Sequence, residues 1–116
     1  MNEQRVKANK AAAMMLGYIT NPDTVDIEPD GSGVFCSLSG EELRFGNIVI
    51  FNMFRNPSDS KLAVRYLADN YQISIESHKV DGVRVWSVLQ DGVDINAEVT
   101  YDRFDGALIA ACMYIK

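Results

Sequence analysis

The chain is poor in the residues from which most catalytic sites are assembled. It has one histidine, His78, which the pattern places in a turn between two strands. A catalytic triad or a zinc site would need partners at workable spacing, and none surrounds it. Cys36 and Cys112 are too few and too far apart to read as a disulfide framework, and reduced thiols are the expectation in a cytosol. Cys36 has no adjacent base to activate it. Cys112 falls in an apolar helical run and reads as a small core residue. No apolar stretch approaches the length that spans a bilayer. The opening Met1-Asn2-Glu3-Gln4-Arg5 lacks the apolar core of a signal peptide, so a cytoplasmic location is expected.

Positive charge is missing from one long segment. Between Gly17 and Leu43 there is no Lys or Arg, while Asp23, Asp26, Glu28, Asp30, Glu41 and Glu42 collect there. The formal net charge is −5 and the sequence pI about 4.7. That balance disfavours direct nucleic-acid binding, which draws on clustered Lys and Arg. It suits an acidic surface directed at a basic partner.

Two apparent motifs lack an essential part, and the carboxylate pairs have a plainer reading. Asp26-Ile27-Glu28-Pro29-Asp30-Gly31 resembles the start of a calcium loop, but Ser37 stands where the bidentate Glu belongs, and no convincing helix precedes it. Gly31-Ser32-Gly33 lacks the Lys and the following helix of a phosphate loop. The carboxylate pairs Asp102/Asp105 and Asp94/Glu98 fit helix capping and a polar strand edge, with Asp102 as the N-cap of a final helix. No metal, cofactor or catalytic group is therefore assigned, and the expectation is a protein without enzymatic activity.

What is present defines a fold class. A length of 116 residues with 47% hydrophobic and 23% charged side chains suits one domain over residues 1–116. Asn56-Pro57-Ser58-Asp59 is the clearest helix start: an N-cap, a proline at the first helical position and a carboxylate at the third. Leu62, Ala63, Tyr66, Leu67 and Tyr71 then recur at helical spacing. Residues 2–16 read as an alanine-rich helix stopped by Gly17, and 103–115 as a strongly apolar closing helix. Val25–Ile27 and Val34–Leu38 suggest short strands, and Ile48–Phe51 a short strand or a buried loop. After Tyr71 the period becomes two, with Asp81-Gly82 and Asp91-Gly92 as turns. The expected architecture is α+β: a small antiparallel meander of about three to five strands layered with three α-helices.

The second turn decides the environment of Trp86. A two-residue Asp91-Gly92 turn puts Trp86 on the face of Ile95, Ala97 and Val99. A three-residue Gln90-Asp91-Gly92 loop puts it on the other face, with Arg84, Val88, Gln90, Asp94, Asn96 and Glu98, because a one-residue slip reverses the faces. The second register separates apolar from polar residues more cleanly. Exposed together, Arg84 and Trp86 have the composition of an interface hot spot; turned inward, Trp86 is core.

Three segments resemble a family of small bacteriophage proteins of the NinX type, related to the phage αβα-sandwich domain. Asn9-Lys10-Ala11-Ala12-Ala13-Met14-Met15-Leu16-Gly17-Tyr18 resembles its opening helix. Phe51-Asn52-Met53-Phe54-Arg55-Asn56-Pro57-Ser58-Asp59 resembles its polar loop before the central helix. Asp105-Gly106-Ala107-Leu108-Ile109-Ala110-Ala111-Cys112-Met113-Tyr114-Ile115 resembles its closing helix. Residues 23–48 follow no such pattern. The resemblance implies a cytoplasmic phage accessory protein with no established catalytic activity. On that basis the first expectation is a protein that binds and inhibits a host macromolecular complex, as an anti-CRISPR protein does. Its binding residues would be Asp23, Asp26, Glu28, Asp30, Glu41, Glu42, Arg84 and Trp86. The alternative is a small-ligand or enzymatic phage metabolism protein with a pocket between sheet and helices. Self-association through a strand edge or Trp86 is a further expectation.

Overall fold

The structure, a computed structural model, describes residues 2–29, 31–37, 48–95 and 99–115. Its element order is α1 (Asn2–Met15), β1 (Val34–Cys36), β2 (Val49–Phe51), α2 (Pro57–Tyr71), β3 (Ile73–Val80), β4 (Val83–Gln90), β5 (Val93–Asp94) and α3 (Phe104–Tyr114). Three helices and two small antiparallel sheets make this an α+β fold, as the sequence pattern indicates. The chain divides into two compact units, Met1–Ala63 and Val64–Lys116, with the division inside α2.

In the first unit, α1 packs on β1, and β1 pairs with β2. The helix ends as its glycine demands. Gly17 takes φ 81°, Tyr18 N–H donates to the Ala13 carbonyl at 2.8 Å, and Gly17 N–H to the Met14 carbonyl at 3.1 Å. This is the paired-bond termination that a left-handed residue permits. Ile48–Phe51 resolves to the strand β2. The Val25–Ile27 strand reduces to a single bridge between Ile27 and Val34. The chain crosses closely at Gly33, where a Cβ would lie 2.6 Å from Ile50 Cγ2 and 3.2 Å from Asn52 Cβ. Only a glycine lets the backbone pass there.

The cap reading of α2 holds at atomic level. Asn56 Oδ1 accepts from Ser58 N–H at 3.1 Å. The apolar stripe is narrower than expected: Ala63 and Leu67 are buried, whereas Leu62 is 41% exposed. The helix stops without a glycine, at Gln72 with φ 55°.

The second unit holds the meander. Both turns are two-residue connections, with Asp81 and Gly82 at φ 52° and 82°, and Asp91 and Gly92 at 53° and 79°. Positive φ at both central residues is the hairpin turn whose twist matches the strands. His78 is therefore not in a turn: it lies within β3, opposite Val85. β5 pairs with β4 through Val93 and Asp94, Ile95 N–H donates to the Val88 carbonyl at 3.0 Å, and Tyr101 bridges Trp86. Of the expected strand residues, Asn96, Ala97 and Glu98 lie outside the described segments. Asp102 does not cap α3. The cap position belongs to Arg103, which makes no side-chain capping bond.

Candidate functional site

The register answers the question of Trp86. Gln90 pairs with Val93 across the two-residue turn, so Trp86, Val88 and Gln90 share a face with Ile95. The register that the segregation of side chains favours is thus not the one adopted. Sterically relaxed Asp-Gly geometry outweighs tidy patterning. α3 packs against β3 and β4. Trp86 meets Phe104 edge-to-face with ring centroids 5.3 Å apart, and Val88 beside it is 2% exposed. Trp86 is half-buried. Arg84, farther out on the same face, is exposed and donates from Nη1 to Ser77 Oγ at 2.7 Å. Trp86 and Arg84 therefore belong to one face of one hairpin but differ in availability.

Of the acidic set, Asp23 and Asp26 lie exposed in the loop between α1 and β1. Both help to shape that loop through backbone groups: Asp23 N–H donates to Asn21 Oδ1 at 3.0 Å, and the Asp26 carbonyl accepts from Phe35 N–H at 3.0 Å. Glu28 is engaged differently. Its Oε2 accepts from Arg55 Nη1 at 2.6 Å. Its Oε1 is buried without a hydrogen-bond partner, against the turn where a Cβ on Gly31 would come within 2.7 Å of it. Glu28 is thus paired with Arg55 beside the Gly31 turn, and Asp23 and Asp26 are the outward carboxylates among the described residues of the set. Asp30, Glu41 and Glu42 lie outside the described residues.

A polar cluster that sequence reasoning missed lies inside the first unit. Asn9, in the middle of α1, is fully buried among Ala8, Ala12 and Ala13. Its Nδ2 donates to the Ser32 carbonyl at 2.9 Å and to Asn52 Oδ1 at 3.2 Å, and its Oδ1 accepts from Met53 N–H at 2.9 Å. Asn52 Oδ1 also accepts from Phe54 N–H at 3.0 Å, and Asn52 N–H donates to Asp59 Oδ2 at 2.9 Å. Asp59 is 7% exposed. Burial raises its carboxyl above the ordinary range, opposed by the Asn52 hydrogen bond. Burial pushes the Cys36 thiol up to about 11, with the Asp59 carboxylate adding to the rise. The same two causes, with Cys36 adding a smaller part, raise the Tyr18 phenol. Each bond in the cluster joins a side chain to a loop backbone or to another side chain, so its chemistry is fastening: it ties α1, the Ser32 turn and the 52–54 loop to the start of α2. The legible signal was a lone Asn among helix alanines, a polar group that must find partners once its neighbours are buried.

Cys112 is buried in α3, and its thiol is pushed up to about 12 by desolvation. Both thiols therefore stay protonated at neutral pH, whereas nucleophilic cysteines have depressed values. Among the described residues, no group of three or more His, Cys, Asp or Glu side chains could hold a metal ion. No helix among them is long and apolar enough to cross a membrane.

These features define the class as a small α+β protein with an internally bonded polar cluster and an acidic outer loop. Comparison with protein families, curated proteins and solved structures gives no match.

Proposed function

We propose that this chain is a non-catalytic accessory protein that recognises a partner protein through its acidic segment, residues 23–42. The observation that carries the reading is the exposure of Asp23 and Asp26 on a loop where no basic residue occurs from Gly17 to Leu43. A cluster of one sign speeds encounter with an oppositely charged surface and selects among partners. The buried, protonated thiols and the hydrogen-bonded Asn9–Asn52–Asp59 cluster support a structural use for the interior polar groups. With the resemblance to phage accessory proteins, the concrete form is a phage product in the host cytoplasm that occupies the basic nucleic-acid groove of a host defence complex, as an anti-CRISPR protein does.

The test begins with affinity capture from bacterial lysates and continues with the purified partner. Affinity is expected to fall as salt rises, because exposed charges are screened over about 10 Å at 0.1 M ionic strength. Reversing four charges together (Asp23→Lys, Asp26→Lys, Glu41→Lys, Glu42→Lys) should weaken binding at least about tenfold through lost complementarity. Affinity that ignores both salt and the four reversals would sink the proposal.

A further inference from the structure

β3 is an edge strand. β4 covers one side, and among the described residues no strand or bridge occupies the other. Its outward backbone groups can be identified. Trp86, opposite Ser77, spends both its N–H and its carbonyl on Tyr101, at 2.7 and 2.9 Å. Val88, opposite Ile75, gives its carbonyl to Ile95 at 3.0 Å. Residues alternate along an antiparallel ladder between bonding one neighbour and the other. Ile73, Ile75, Ser77 and Lys79 therefore direct N–H and C=O away from β4. An eight-residue edge of this kind is a template for another strand.

We propose that the strand it accepts is β3 of a second copy of this chain, paired antiparallel about a two-fold axis at Ser77. The sequence selects this partner and this register. Outward groups must meet outward groups, which allows pairings centred on Ile75, Glu76, Ser77 or His78. Centring on Glu76 sets two carboxylates against each other, an unfavourable like-charge pair. Centring on Ile75 or His78 shortens the overlap and leaves Glu76 opposite a hydroxyl or an aliphatic side chain. Centring on Ser77 pairs Ser74 with Val80, Ile75 with Lys79, and Glu76 with His78, twice over by symmetry.

Glu76 and His78 are ready for this. Both are exposed on the face of the hairpin away from Arg84 and Trp86. Ser74 Oγ donates to Glu76 Oε2 at 3.1 Å and orients the carboxylate. Opposite them β4 offers only Val85 and Ser87, so no charge of that strand competes. In the paired strands Glu76 and His78 occupy non-hydrogen-bonded positions, where side chains approach most closely. The two three-stranded sheets become one continuous sheet, and the exposed edge disappears.

Sedimentation across a concentration series, with the parent chain and three variants, tests this. The parent should pass from monomer to dimer as concentration rises. Glu76→Lys and His78→Glu should each weaken the dimer about tenfold, since each changes two symmetric cross-strand pairs. The combined exchange, Glu76→Lys with His78→Glu, sets a Lys opposite a Glu across the axis and should recover the parent affinity. Both positions are exposed, so circular dichroism should show all variants folded. A chain that stays monomeric, a dimer indifferent to the single reversals, or one that the combined exchange fails to rescue would each overturn the proposal. None of these outcomes bears on the acidic-segment reading, because neither residue belongs to it.

Discussion

At the scale of single residues, the polar groups of the first unit are held by bonds that the sequence does not announce. Replacing Asn9 with Ala leaves the Ser32 carbonyl and the Met53 N–H without their partner. At about 1–3 kcal/mol per buried unpaired group, the expected loss is about 3 kcal/mol, measured by urea unfolding. Asp59 gives a pH signature. Its folded-state pKa lies above the ordinary 3.8, so its contribution is complete below that pH and is lost as pH rises through the elevated value. Asp59→Asn, which removes the titration, should therefore gain in stability relative to the parent as pH is raised across that window. Unfolding midpoints at matched pH values measure the difference; a constant difference would contradict the burial argument. The Cys36 and Cys112 thiols, pushed up to about 11 and 12, should react slowly with a disulfide reagent near neutral pH and readily once the chain unfolds.

Elements end where backbone geometry requires it, and glycine substitutions separate the cases. Gly82 and Gly92 have φ 82° and 79°, with nothing within 4 Å of the place a Cβ would take. Alanine at either site should cost about 1 kcal/mol from conformation alone. Gly106 sits in α3, where a Cβ would rest 3.4 Å from Tyr101 Cδ1. Gly106→Ala should stabilise by about 0.5–1 kcal/mol, the usual helix preference for alanine over glycine. Gln72 ends α2 in the left-handed region at φ 55°, and Gln72→Gly should stabilise by up to about 1 kcal/mol by relieving that strain. Thermal unfolding of the four variants checks all these signs together. The turn at Gly82 is openly displayed in the sequence, but the stop at Gln72 is not, since glutamine carries no turn signature.

At the scale of the whole molecule, the two compact units share α2, a single uninterrupted helix. Cys36 lies in the first unit and Cys112 in the second, so the thiols report on the units separately. A chain of this size is expected to unfold in one cooperative step. Both thiols should then become reactive over the same range of urea. Two separated labelling transitions, read by mass spectrometry of the peptides, would show that the units unfold independently. Charge acts at this scale too. With a pI of about 4.7, repulsion between copies vanishes near that pH, and solubility should be lowest there by turbidity.

Local chemistry in the sequence determined where α2 starts, where α1 stops and where both hairpins turn, because caps, prolines and Asp-Gly pairs act over a few neighbouring residues. It also determined the acidic segment, which follows from composition alone. Tertiary structure decided the rest. The side of the sheet that Trp86 occupies turned on one residue of register. The fate of Asn9 turned on loops 23 and 43 residues away in sequence. The bridge of Tyr101 to Trp86 turned on a meeting of residues well separated in the chain. Each of these depends on which distant groups meet, and periodicity along the chain carries no record of that.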